Sequence, residues 1–174
     1  MPPYPGICNR DIKPDNFIII RNSETNEYNF KIADFGIGCY IETKDNYQIS
    51  TSEFVSCTPR FASPEALLMF GDDYEQFNYY DPFLSDVFSL GKSILIMMNP
   101  YENNQDLKEI VRLMLAEKPQ QRISLLKLQK MLREKKFQNL MKSPDQIAKY
   151  ISEWKANKDK GITLKEKLEI YLQL

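Results

Sequence analysis

Two short polar segments, separated by a pair of apolar runs, constrain the fold of this 174-residue chain more than any other feature. The first reads Asn-Arg-Asp-Ile-Lys-Pro-Asp-Asn at residues 9–16, and the second reads Asp-Phe-Gly at residues 34–36. Between them lie a β-branched run at 17–20 and an alternating run at 28–32, joined by a polar, turn-like stretch. This order predicts a β-hairpin placed between two acidic loops.

The rest of the chain has mainly helical patterns. Apolar positions at helical spacing predict three helices, at residues 84–98, 105–116 and 124–137. A shorter helix is expected to begin at Pro64, because proline is favoured at the first helical position and Ser63 can act as its N-cap.

The composition excludes several classes of function. With 43% hydrophobic and 27% charged residues, the chain is of ordinary globular composition, and wholesale disorder is not expected. The net charge of −1 provides no basic field for nucleic acid or for an anionic membrane. Because the chain has no histidine, Ser-His-Asp and Cys-His catalysis are excluded, and the commonest zinc ligand is missing.

The lack of a signal-peptide pattern and the spacing of the cysteines predict an intracellular, cytoplasmic protein. Residues 1–5 have neither the charged start nor the apolar core of a signal peptide. The most apolar run, residues 90–98, is too short to span a bilayer, so no membrane insertion is expected. Cys8, Cys39 and Cys57 show no CxxC spacing and are expected to be reduced thiols.

Three further segments follow the two acidic loops in a fixed order. They are Thr-Pro-Arg-Phe-Ala-Ser-Pro-Glu at 58–65, Ser-Asp-Val-Phe-Ser-Leu-Gly at 85–91 and Glu-Lys-Pro-Gln-Gln-Arg-Ile-Ser at 117–124. Over residues 6–137, the five segments together resemble the eukaryotic protein kinase family. A lysine two residues after Asp11, together with Thr58, resembles the serine/threonine class of that family.

The resemblance implies a fold and a domain organisation. The expected fold is mainly α (α+β), a kinase-like C-terminal lobe in which a helical bundle carries a small β-hairpin, without an N-terminal lobe. Residues 1–137 would form this lobe, and residues 138–174 would form an amphipathic helical tail. Within the tail, Ile147, Ile151 and Trp154 fall on one face of a predicted helix.

The resemblance also implies transfer of the γ-phosphate of ATP to a protein hydroxyl, with Mg²⁺ as a second cofactor. Asp11 would accept the hydroxyl proton, and Lys13 would offset charge near the γ-phosphate. Asn16 and Asp34 would hold the two magnesium ions through their side-chain oxygens. Ile18 would bind the cofactor by packing beneath adenine.

Other residues would shape the activation segment and the loops. Arg10 would bind a phosphate on this segment, whose end carries Thr58 and Glu65. The candidate phosphosites are Thr51, Ser52 and Ser56, which could equally be plain loop hydroxyls.

Three structural roles also follow from the resemblance. Glu65 would form a buried ion pair with Arg122. Asp86 would accept hydrogen bonds from the backbone of the catalytic loop. Phe35 would pack inward as a hydrophobic peg.

The sequence departs from the family pattern in four ways. The few residues before Asn9 have no room for a Gly-rich phosphate loop or for the family's ATP-binding lysine. The helix that normally precedes the catalytic loop is also missing, so the apolar face of residues 84–98 is expected to be bare. Asn9 replaces the usual histidine and is expected to weaken a hydrophobic column beneath the metal-binding loop. Only residues 99–106 link two helices that the family usually separates by a docking region.

Three explanations remain open for these departures. The chain could be a fragment of a full kinase, a degenerate lobe kept as a structural part, or half of a split kinase that another chain completes. In each case, the 174-residue chain alone is expected to be inactive and to bind nucleotide weakly. The alternative to a kinase is a pseudokinase-like interaction module, whose protein partner would cover the exposed lobe core within a larger, cytoskeletal assembly.

Overall fold

The computed structural model describes residues 6–25, 28–41, 49–50, 56–69, 79–97, 105–134 and Ser152. Six short strands occur in these ranges: β1 (Gly6–Cys8), β2 (Phe17–Arg21), β3 (Tyr28–Ile32), β4 (Cys39–Ile41), β5 (Ile49–Ser50) and β6 (Tyr79–Tyr80). The helices are α1 (Pro64–Leu68), α2 (Pro82–Met97), α3 (Gln105–Met114) and α4 (Leu125–Arg133), with 3₁₀ turns at Pro14–Asn16 and Pro119–Gln121. The fold therefore belongs to the α+β class.

The strands form three antiparallel pairs: β1 with β4, β2 with β3, and β5 with β6. The predicted hairpin is confirmed, because β2 pairs with β3 from Phe17 opposite Ile32 to Arg21 opposite Tyr28. The β1–β4 pair brings together the chain before the first acidic loop and the chain after the second. Both acidic loops therefore begin and end on paired strands.

Helix α2 begins two residues earlier than its apolar pattern predicts. Proline at its first position, Pro82, has no N–H to leave unsatisfied. The carboxylate of Asp81 accepts hydrogen bonds from the backbone N–H groups of Phe83, at 2.9 Å, and Leu84, at 3.1 Å. These two hydrogen bonds satisfy backbone N–H groups that have no partner within the helix, and they set the N-terminal boundary of α2.

The main core lies between α2, α3 and α4. Its buried members are Val87, Ile110, Met114, Ile123 and Leu128. A second cluster joins β1 and β4 to the start of α2 through Cys8, Ile41 and Phe83.

The N-terminus of α1 follows the prediction, since Ser63 Oγ accepts the Ala66 N–H at 3.4 Å. Helix α4 ends at Arg133, short of the predicted residue 137, because Glu134 has extended backbone angles.

The prediction of a bare apolar face on the central helix, α2, is wrong. No residue of α2 is exposed, since each is buried or half-buried. Helix α3 packs against it, and Ser93 Oγ hydrogen bonds to the carbonyl of Ile12 at 3.4 Å, which ties the helix to the first acidic loop. The exposed large apolar side chains lie elsewhere and include Ile18, Ile20, Phe30 and Ile32 of the hairpin.

The predicted tail domain at 138–174 lies outside the described residues, apart from Ser152, which is helical. In the part of the chain that the structure describes, no helix is both long enough and apolar enough to cross a bilayer.

Gly91 lies where α2 packs closely against the end of α3. A Cβ atom built at this position would lie 2.9 Å from Met114 Cβ and 3.1 Å from Leu115 Cδ2. The first of these distances is shorter than real Cβ contacts, so glycine is required for the two helices to pack at this spacing.

We expect Gly91→Ala to lower the free energy of unfolding by about 1–3 kcal/mol, because it overpacks this contact. Helix propensity alone would act in the opposite direction, since alanine is favoured over glycine within a helix by about 1 kcal/mol. Urea denaturation distinguishes the two effects by their sign. A variant that is more stable than the wild type would show that α2 and α3 separate at no cost.

Candidate active site

Asp11, Lys13 and Thr58 form a compact cluster. Lys13 Nζ donates to Asp11 Oδ2 at 2.5 Å and to Thr58 Oγ1 at 3.0 Å. The Thr58 hydroxyl donates in turn to Asp11 Oδ1 at 2.5 Å. The side chains of Asp11 and Lys13 are 12% and 22% exposed, so both are reachable from solvent. The structure thus joins the carboxylate of Asp11 and the ammonium group of Lys13 to the hydroxyl of Thr58, which lies 47 and 45 positions further along the chain.

Asn16 closes the first acidic loop and connects it to the second. Its Nδ2 donates to the Asp11 carbonyl at 2.9 Å and to Asp11 Oδ2 at 3.3 Å. Its own backbone carbonyl accepts the Ala33 N–H at 2.8 Å, one residue before Asp34. Because the amide nitrogen is bound to Asp11, the orientation of the Asn16 side chain is set and its oxygen points away from that carboxylate.

Asp34 has an unusual backbone conformation for a non-glycine residue. Its φ is 59°, in the left-handed region that Asp and Asn tolerate better than most residues. Its Oδ1 accepts the Gly36 N–H at 3.2 Å, and the residue is exposed. An exposed carboxylate and the nearby Asn16 amide oxygen are both hard oxygen donors, so this pair fits Mg²⁺.

Asn9 contributes a connection that sequence reasoning missed. The side chain is buried, at 3% exposure, and its Nδ2 donates to the Asp34 carbonyl at 2.9 Å. Its Oδ1 accepts the Asp11 N–H at 3.1 Å. The amide was expected to weaken a hydrophobic column, but it bonds the two acidic loops directly to each other. No local pattern signals the contact with Asp34, because that residue lies 25 positions away in the sequence.

Asp86 holds the start of the first acidic loop as predicted. Its two carboxylate oxygens accept the backbone N–H groups of Asn9, at 2.7 Å, and Arg10, at 2.8 Å. Arg10 has a φ of 68°, which is a strained conformation for a long side chain, and the two hydrogen bonds stabilise it. Burial raises the pKa of the Asp86 carboxyl to about 6, against the opposing effect of these hydrogen bonds.

Glu65 and Arg122 form the predicted buried ion pair. The guanidinium binds both carboxylate oxygens, with Nη1 to Oε1 at 2.6 Å and Nη2 to Oε2 at 3.0 Å. It also packs on the ring of Phe88, with 4.8 Å from Cζ to the ring centre. Its remaining donors bind the backbone carbonyls of Leu84, Ala116 and Glu117. This residue therefore joins α1, α2 and the loop before α4.

The prediction for Phe35 is wrong. Its ring is 49% exposed and does not act as an inward peg. The physical reason is a tight turn, in which the Gly38 N–H donates to the Phe35 carbonyl at 2.9 Å and places Phe35 at the surface.

The remaining predicted residues are placed as follows. Ile18 lies on β2 beside the acidic loops and is 47% exposed, so its side chain is accessible to a ligand. Arg10 is buried at 9% exposure. Among the candidate phosphosites, Thr51 and Ser52 lie outside the described residues, and Ser56 is half-buried.

Two acidic loops that hydrogen bonds hold together form the candidate active site, and comparison with known proteins identifies the family of the chain. The model of the protein kinase domain family matches residues 5–106. This match covers more than half of the chain, and the chain belongs to the protein kinase family. Members of this family use ATP and Mg²⁺.

Individual kinases are similar to about half of the chain. The chain is 28% identical over 96 residues to CBL-interacting serine/threonine-protein kinase 15 of Arabidopsis thaliana, covering 55% of this chain and 19% of that protein. It is 35% identical over 88 residues to a calcium/calmodulin-dependent protein kinase kinase of Caenorhabditis elegans, covering 51% and 14%. The chain thus spans less than a fifth of the length of these relatives.

Proposed function

We propose that residues 6–134 form the C-terminal lobe of a serine/threonine protein kinase and carry the catalytic loops for transfer of the ATP γ-phosphate to a protein hydroxyl. The observation that supports this proposal best is the cluster of Asp11, Lys13 and Thr58, in which one hydroxyl bonds both charged groups. The Glu65–Arg122 pair supports it further, because Arg122 lies beyond the region that the family model matches.

The cluster provides the two functions that phosphoryl transfer asks of a protein, positioning and charge compensation. Asp11 Oδ1 already accepts a hydrogen bond from a hydroxyl, that of Thr58, so it can accept one from a substrate hydroxyl and take its proton. Lys13 lies against the same carboxylate and can offset negative charge on the transferred group. Thr58 orients both side chains.

Asn16 and Asp34 would hold the magnesium ion, and Ile18 would provide an apolar contact for the base. When bound, Mg-ATP supplies the phosphoryl group and neutralises part of its charge. Asn9 bonds the Asp34 carbonyl and the Asn16 carbonyl accepts the Ala33 N–H, so both residues tie the two loops together, which is the preorganisation that such a site needs. The free thiols of Cys8, Cys39 and Cys57 fit a reducing cytoplasm, where we place this activity.

We expect the isolated 174-residue polypeptide to show no kinase activity. Residues 1–8 of this polypeptide contain no lysine and no Gly-rich loop that could bind the ATP phosphates. A radiolabel transfer assay with Mg-ATP and a mixture of Ser/Thr peptides should give the same signal for the wild type and for Asp11→Asn. Transfer by the wild type that Asp11→Asn abolishes would contradict the expectation of inactivity and show that this polypeptide is active without a further segment or partner.

The metal-binding half of the site can be tested without ATP. We expect Mn²⁺, used as a paramagnetic substitute for Mg²⁺, to broaden the amide NMR signals around Asn16 and Asp34. Asp34→Asn should weaken this effect at least about tenfold, because one carboxylate ligand is lost. Asparagine tolerates the left-handed backbone at position 34, so the loop should keep its conformation.

Glu24→Gln is the matched control, because Glu24 is an exposed acid in the hairpin turn. It should leave the broadening unchanged. Equal broadening in Asp34→Asn and the wild type would contradict the proposed metal site, and with it the assignment of the two loops.

A second candidate function is an interaction module, and the exposed apolar side chains of the hairpin favour it. Ile18, Ile20, Phe30 and Ile32 are each more than 40% exposed. The register of β2 against β3 places Ile18 and Ile20 on one face of the hairpin and Phe30 and Ile32 on the other, so both faces expose apolar surface. Exposed apolar surface of this kind usually marks a protein contact. The partner would be a protein segment that covers the hairpin beside the candidate ATP site. Size-exclusion chromatography tests the interaction module. A soluble monomer at high concentration would disfavour this function. Self-association that Ile20→Lys reverses would support it.

A further inference from the structure

Cys8 and Cys39 face each other across the β1–β4 pair. The antiparallel register places Gly6 opposite Ile41, Ile7 opposite Tyr40 and Cys8 opposite Cys39. Directly opposed residues in such a ladder have Cα atoms about 4.5–5.5 Å apart. A disulfide needs a Cα separation of about 4.4–6.8 Å. The backbone of the two strands therefore already has the spacing that a disulfide requires.

The two strands are held at this point by close packing. A Cβ atom built on Gly38 would lie 2.9 Å from the carbonyl oxygen of Cys8, so only glycine permits this approach. Cys8 is completely buried. Cys39 is half-buried and packs against the hydrophobic cluster that contains Cys8. One thiol is thus protected inside the fold, while the other is reachable from solvent.

The environment makes the two thiols chemically different. The pKa of Cys39 is lowered, first by a hydrogen bond from Cys8 and further by the nearby Arg10 guanidinium. The pKa of Cys8 is raised by the same hydrogen bond, by burial and by the Asp86 carboxylate. A thiolate is the reactive form, so Cys39 is the nucleophile of the pair.

We propose that Cys8 and Cys39 form a dithiol site that a hydroperoxide oxidises reversibly to an intramolecular disulfide. The Cys39 thiolate attacks the hydroperoxide, the O–O bond breaks, and a sulfenic acid forms while the alcohol or water leaves. The sulfur of Cys8 then attacks the Cys39 sulfur, the S–O bond breaks, and the hydroxyl leaves as water with the Cys8 proton. Two thiols lose two electrons in total, and the hydroperoxide gains them.

A disulfide between Cys8 and Cys39 would restrain both acidic loops. Cys8 is the residue before Asn9, and Cys39 follows Gly36 by three positions. The disulfide would close a ring over residues 8–39, which contains both acidic loops and the hairpin. Oxidation would keep β1 and β4 paired and would oppose any separation of the two loops. This inference stands whether or not the site transfers phosphate.

The test uses the full 174-residue chain treated with hydrogen peroxide. We expect the intact mass to fall by about 2 Da, the two hydrogens lost in disulfide formation, and dithiothreitol to restore it. A non-reducing peptide map should join Cys8 to Cys39. Thermal denaturation should show a Tm higher by roughly 5–10 °C in the oxidised form, because the closed ring of about 30 residues restricts the unfolded chain.

Variants of the other cysteines complete the experiment. Cys57→Ser should still form the bond, since Cys57 is half-buried in the activation segment and its pKa is raised to about 11, chiefly by burial. Cys39→Ser should leave Cys8 unmodified. A bond through Cys57, a dimer linked between chains, or a sulfinic acid at Cys39 beside a reduced Cys8 would overturn the proposal. The wild-type peptide map decides this even where a variant fails to fold.

Discussion

Replacing Arg122 by methionine is expected to lower the free energy of unfolding by about 3–5 kcal/mol. The guanidinium binds both oxygens of Glu65, and its own side chain is 0% exposed. Removing it leaves a buried carboxylate without its charge partner, and desolvation makes such a group costly. Three backbone carbonyls also lose a donor. Urea denaturation at pH 7, followed by circular dichroism, measures the loss.

Arg112→Met is the matched control for this substitution. Arg112 lies on the exposed face of α3, so its replacement should change stability by no more than about 0.5 kcal/mol. The double variant Glu65→Leu/Arg122→Met should recover part of the loss, because neither charge is then buried alone. A loss below about 1 kcal/mol in Arg122→Met would show that the pair does not hold α1 against α2.

The stability of the wild type is expected to fall by on the order of 3 kcal/mol between pH 4 and pH 7 because of Asp86. Burial raises the pKa of this carboxyl from 3.8 to about 6 in the folded protein. Between these values the folded state binds more protons than the unfolded state, so stability falls as the pH rises. The contribution is fully present below pH 4 and is lost as the pH passes through about 6.

Asp86→Asn isolates this contribution, since an amide does not titrate. The stability difference between the wild type and this variant, measured by urea denaturation at several pH values, should decrease from pH 4 to pH 7. Glu109→Gln, at an exposed position of α3, should show no such trend. If the difference instead increases with pH, the hydrogen bonds from Asn9 and Arg10 stabilise the charged form more than burial disfavours it.

Local sequence patterns predicted most of the described secondary structure. Alternating and β-branched residues predicted the hairpin, and the register of β2 against β3 confirms it. Periodic apolar residues predicted α2, α3 and α4 with boundaries within a few positions. Short strands such as β1 and β4 were missed, because three residues are too few to show a period and their pairing joins distant parts of the chain.

The site was predicted in part. The Glu65–Arg122 pair and the Asp86 hydrogen bonds lie where the family resemblance implies. The resemblance failed for Phe35, whose exposure depends on the turn closed by Gly38. It also gave no account of Asn9, whose amide nitrogen donates to the carbonyl of Asp34, a partner 25 positions away that only folding brings within reach.

The sequence by itself determined the family, through the resemblance of its five segments to kinase motifs, and it fixed the order of the loops and the residue types that carry charge. Only the tertiary structure decided which groups meet. Thr58 reaches Asp11, Asn9 reaches Asp34 and Cys8 reaches Cys39 across 47, 25 and 31 positions of chain. Such contacts depend on how strands pair and helices pack, and a hydrogen bond needs its partners within a few tenths of an ångström. No local pattern carries that information.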